Sequence, residues 1–157
     1  MSTRTNIVIQ TGQTNVYLYR HHDGYLTETG ADLLKKLNAA NDNPSLFLES
    51  LLAERYDKQN YETVAKRVYE LTTEVHGDIG YLYVVRFDDS NVTTGYAARG
   101  SYDNNVPEVA DVKLGSKATF AEAVNKDIRA TNRRLADLRK KQPGAYGDAT
   151  DYAEVTA

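Results

Sequence analysis

From Thr119 to Gln142 the chain carries one uninterrupted helical pattern. Phe120, Val124, Ile128, Leu135 and Leu138 recur at helical spacing, Thr119 with Glu122 matches a capping box, and Pro143-Gly144 ends the run. About 23 residues rising about 1.5 Å each make a rod of roughly 35 Å. In a chain of 157 residues, the length of one domain, such a rod spans whatever it packs on. Its apolar positions step by near-heptad intervals, so it either packs on the rest of the domain or pairs with another helix, a homodimer being one outcome.

Charge divides along the same boundary. The helix holds seven basic residues against three acidic ones, +4, within a chain whose net charge is -3, so the remainder carries -7. An acidic body disfavours duplex nucleic acid, where phosphate contacts dominate affinity, and suits a partner with a basic surface. Arg133, Arg134, Arg139 and Lys140 are the candidate partner-binding residues of the helix, either as a solvated outer face or as contacts to RNA or an acidic protein groove. With no cysteine, disulfide frameworks and thiol chemistry are excluded. No signal-peptide core and no apolar run of membrane-spanning length is present, so a cytoplasmic protein with no membrane partner is expected.

The remaining pattern is strands and short helices. "NIVIQTGQTNVYLYRH" reads as a hairpin in which Val16, Leu18 and Arg20 oppose Tyr17, Tyr19 and His21. "GADLLKKLNAA" reads as a helix, and a second one follows Asn43-Pro44 with Leu46, Phe47, Leu51 and Leu52 on a stripe reaching Tyr56. Helix is expected to about Arg67 and strand after it, in "YELTTEV". "YLYVVRFDD", with Tyr81, Tyr83, Val85 and Phe87 on one face, is the strongest strand and turns into "VTTGYAAR". Residues 100–118 read as a long loop with one short strand at most. The expectation is an α+β fold: a small, mainly antiparallel sheet packed against helices, in a single domain over residues 1–142, followed by a disordered acidic tail over 143–157.

The chemistry concentrates at "RHHDG", residues 20–24, and "HGD", residues 76–78. If the strands before them lay side by side in parallel, His22, Asp23, His76 and Asp78 would meet at one sheet end as an acid/base cluster, with Arg20 binding an anion such as phosphate. Both stretches are equally ordinary turn chemistry, in which His or Asp hydrogen-bonds nearby backbone. No phosphate loop, nucleophile elbow or zinc-binding helix occurs, and neither metal nor cofactor is expected.

"YLYRHHDGY", the Leu-Leu helix, "LLAERY" and "YELTTEVHGDIGYLYVV" together resemble a group of small uncharacterised bacterial and phage proteins. These open with Tyr-Arg-His-x-Asp-Gly-Tyr and later carry His-Gly-Asp-Ile-x-Tyr-x-Tyr. The resemblance spans roughly residues 15–87; Leu26 stands where the group has Pro, and Gly80 where it has an acidic residue. It implies a mobile-element origin and that the two His-Asp stretches travel together. With the acidic body and twelve tyrosines, it points to a binding protein that occupies a host protein, host-defence machinery included. The alternative is a small enzyme acting on a phosphate-bearing substrate through the Arg/His/Asp cluster.

Overall fold

A computed structural model describes residues 3–12, 14–89, 91–100, 104–144 and 151–157. Its centre is a five-stranded sheet of β1 (Thr5–Thr11), β2 (Thr14–Arg20), β3 (Glu70–Thr72), β4 (Tyr81–Asp88) and β5 (Asn91–Ala98), in the order β3-β2-β1-β4-β5. The α+β class is as expected, but the sheet is mixed. β1 pairs antiparallel with β2 and parallel with β4, which joins the sheet only after the two short helices and β3 have intervened. The expected hairpins form, β1 to β2 past Gly12 (φ 58°) and β4 to β5 past Asp89 (φ 46°).

Alternation assigns the two faces. Ile7, Ile9, Leu18, Tyr83, Val85 and Phe87 face a core closed by α1 (Ala31–Ala39), α2 (Pro44–Ala53) and the first half of α3 (Lys117–Lys141). Val8, Leu82 and Val84 face the other side, which Ile79 and partly buried Val75, Val106, Val109, Val112 and Leu114 cover from loops. Asn43 caps α2 as expected, its Oδ1 accepting the Leu46 N–H at 3.0 Å. The cap of α3 differs from expectation. Ser116, rather than Thr119, accepts the Thr119 N–H at 3.1 Å, so the helix starts at Lys117, whose ammonium reaches Asn38 and Asp42.

Three further expectations are corrected. Residues 57–67 form no helix. Tyr56 N–H bonds Lys66 O, Val68 N–H bonds Glu54 O, and Arg55 bridges Arg67, so the segment loops back on itself. Tyr61 and Val64 are consequently 81% and 66% exposed, while Val68, at the segment's return, is buried in the core, so the helical spacing of Val64 and Val68 does not put them on one packed face. The expected strand over residues 69–75 shrinks to the three residues of β3. The segment expected to be a disordered tail is docked where it is described: residues 151–157 lie along α3, with Val155 only 7% exposed. Residues 145–150 lie outside the described residues. Among the described residues no helix is long and apolar enough to cross a membrane.

Candidate functional site

The sheet topology explains why the two His-Asp stretches meet. β2 runs against β1 and β4 runs with it, so the end of β2 and the start of β4 lie at one end of the sheet: Thr5 is registered with both Arg20 and Tyr81. β3 is antiparallel to β2, not parallel, and the residues after it cross the loop-covered face back toward that end. Asn6, fully buried, pins the crossing: its Nδ2 donates to Leu18 O at 2.8 Å and its Oδ1 accepts the His76 N–H at 2.8 Å.

The ring that organises the cluster is Tyr19. His76 stacks on it at 4.2 Å between centroids and 18° between planes, and His21 lies 6.2 Å away with Nδ1 3.3 Å from the Tyr19 hydroxyl. Arg4 Nε donates to His21 Nδ1 at 3.4 Å and pairs with Asp78 Oδ2 at 3.4 Å. Partial burial, followed by the Asp78 carboxylate, pushes the Tyr19 phenol above its ordinary range. His22 packs edge-on against His21 at 4.5 Å and faces Tyr56 at 6.3 Å. The Tyr19, His21, His22 and Tyr56 rings line a cleft of about 710 Å³, together with Tyr61, Lys66 and Arg67.

The rest of "RHHDG" faces the other way. Arg20 is 8% exposed, lies over the Tyr69 ring at 5.3 Å and donates from Nη1 to the Tyr69 hydroxyl at 3.1 Å. That hydroxyl in turn donates to Asp32 at 2.6 Å, and Lys36 joins Asp32 to Glu54 at 2.8 and 2.9 Å. Burial, followed by Asp32, pushes the Tyr69 phenol well above its ordinary value. Asp23 sits 3.8 Å from Arg20 Nη2, holds a left-handed φ of 60°, and its carbonyl accepts from Thr29 Oγ1 at 2.7 Å. Arg20 and Asp23 thus hold the strand-to-helix junction, while His21 and His22 line the cleft.

Of the expected cluster, His76 and Asp78 gather at Tyr19, His22 joins through His21, and Asp23 is turned away toward Arg20. His21 and Arg4 were missed. The sequence does carry a signal for His21, since alternation puts it on the Tyr17–Tyr19 side of β2, opposite Arg20. Among the helix residues, Arg139 pairs with Asp151 at 3.1 Å, whereas Arg133, Arg134 and Lys140 are exposed. Among the described residues no group of three or more His, Asp or Glu is placed to hold a metal.

Gly24 closes the junction and gives a direct test. Its N–H bonds Thr3 O at 2.9 Å and its carbonyl accepts from the buried Tyr83 hydroxyl at 2.7 Å. A Cβ there would stand 2.9 Å from Thr3 O and 3.0 Å from Thr5 Cβ, both on or near backbone that cannot retreat. Gly24→Ala is expected to cost about 1–3 kcal/mol by overpacking, read as a lower Tm in thermal melts. An unchanged Tm would mean that the Thr3 backbone yields freely. Comparison of the chain with protein-family models, with curated proteins and with solved structures finds no match.

Proposed function

We propose that this chain is a protein-binding module whose docking face is the cleft and open sheet edge around Tyr19, His21, His22, Tyr61, Val64 and Leu71. The observation that carries this reading is the exposure of Tyr61, Val64 and Leu71, at 81%, 66% and 60%. These side chains fall within residues 61–72, of which Tyr61, Lys66, Arg67 and Glu70 line the histidine cleft and Glu70–Thr72 form β3, a strand paired only with β2 at the sheet's outer edge. An open edge beside pockets for side chains is the geometry by which a partner's extended segment adds to a sheet. The body's charge of -7 favours a partner with a basic surface, and the resemblance to phage proteins makes a host protein, defence machinery included, the partner class.

The alternative is a small enzyme acting on a phosphate-bearing substrate. It is supported by His21 lying near Tyr19 and Arg4, with Lys66 and Arg67 lining the same cleft. It is the weaker reading because Arg20, its anion binder, is buried against Tyr69.

Affinity capture from bacterial host lysate with wild type and with Tyr61→Ala/Leu71→Asp separates the two. The binding reading expects a stoichiometric partner on wild type that the double variant loses while its Tm stays within a degree or so, since exposed substitutions cost within about 0.5 kcal/mol. Identical capture by both proteins, or none by either, would sink it.

A further inference from the structure

A second, independent surface lies on α3. Two asparagines seven residues apart each clasp the main chain of residues 151–157 with a donor and an acceptor. Asn132 Nδ2 donates to Tyr152 O at 3.0 Å while its Oδ1 accepts the Tyr152 N–H at 2.9 Å. Asn125 repeats the arrangement on Val155, at 2.8 and 2.8 Å. A carboxamide offers the same donor-acceptor pair as a neighbouring β-strand, so each clasp reads backbone rather than side chain.

The spacing is that of a site built for an extended peptide. Seven helical residues rise about 10.5 Å, and three residues of polyproline II rise about 9.3 Å. A flat strand has period two and would turn the amide of residue 155 away from the helix when that of 152 faces it. A conformer with a three-residue repeat presents both to the two asparagines. Around the clasps, Arg139 pairs with Asp151 at 3.1 Å and Arg129 with Glu154 at 3.2 Å, both at the exposed rim. Asn38 Nδ2 donates to Thr156 O at 2.9 Å, the Tyr152 hydroxyl donates to Glu28 at 2.6 Å, and Val155 is the one apolar anchor.

We propose that this face of α3 is a binding site for an extended acidic peptide of the pattern Asp-Tyr-x-Glu-Val, of which residues 151–155 are the occupant in cis, and that a partner protein carrying that pattern exchanges with them. The contacts are of the exchangeable kind: main-chain clasps indifferent to the side chains between them, solvent-exposed ion pairs, and a single small apolar side chain. The two cations on the helix set the acidic character of the ligand, and the attachment of the cis segment to α3 keeps it at high effective concentration until a competitor arrives.

The test is fluorescence anisotropy with a labelled peptide of the sequence of residues 148–157, titrated with the full chain. Val155→Asp removes the anchor of the cis segment and frees the groove, so this variant is expected to bind the peptide at least tenfold more tightly than wild type does. Adding Asn132→Ala should weaken that binding at least tenfold, and raising salt should weaken it further. Should Val155→Asp fail to fold, Asp151→Lys with Glu154→Lys frees the groove through two exposed side chains. A freed groove that binds the peptide no better than wild type, or binds it equally without Asn132, overturns the assignment. So does a wild-type dimer that dissociates on Val155→Asp, because the occupant would then be a second copy of this chain.

Discussion

Val85→Asp unfolds the chain. Val85 is 1% exposed, flanked across the sheet by Ile9 on β1 and Thr94 on β5, and belongs to the cluster that the helices close. A carboxylate in that cluster meets apolar side chains and finds no cation, and an unpaired buried charge costs several kcal/mol. Domain stabilities of about 5–15 kcal/mol leave little after such a loss. The expected result is no cooperative melt by circular dichroism, while Arg86→Ala, one residue on at an exposed position, stays within about 0.5 kcal/mol of wild type. A soluble Val85→Asp variant with a cooperative melt would show that the face is not closed.

The second large effect is a loss of stability that begins near pH 10. Tyr69 and Tyr83 are both 0% exposed, and burial first, then nearby Asp32 for Tyr69 and Tyr81 for Tyr83, pushes their phenols well above the ordinary value. In the unfolded chain they ionise near pH 10. Above that pH the unfolded state binds fewer protons than the folded one, so stability is complete below about pH 10 and is lost as pH rises toward the folded-state values. Each buried tyrosine contributes a slope of about 1.4 kcal/mol per pH unit in that window, about 2.7 for the pair. Lys36, whose bonds to Asp32 and Glu54 outweigh its desolvation and raise its pKa, acts in the same direction. Urea melts at successive pH values check this, with Tyr83→Phe expected to flatten the decline. A stability independent of pH between about 10 and 11.5 would mean that both rings ionise as freely as in the unfolded chain.

What was legible in the sequence was what local physics decides. Alternation set the faces of β1, β2 and β4, Asn43-Pro44 set the start of α2, and the spacing of Phe120, Val124 and Ile128 set α3. Leu135 and Leu138 share that spacing but are only half-buried, because the core reaches only the first part of the helix. Residues 57–67 carry helical spacing yet loop, because a periodic pattern forms a helix only where a core receives its apolar face. The candidate site was half legible. That His76 and Asp78 join the end of β2 follows from β1 lying between β2 and β4, a pairing that no local pattern announces. The clasps of Asn125 and Asn132 were illegible for a related reason: asparagines on the outer face of a basic helix read as solvated until their partner, far along the chain, is known.

The parallel ladder between β1 and β4 also governs how the chain reaches its fold. The two hairpins are local and can form within microseconds. The central ladder joins residues 76 positions apart, as the Thr5 hydroxyl bonded to Tyr81 O illustrates. Closing a loop of that size gains nothing until the ladder and the helical layer meet together, and ladders of such high contact order set slow folding rates. Until they meet, β1 and β4 each present an apolar strand without its neighbour, so the nascent chain is most prone to aggregate in the interval before its two hairpins join.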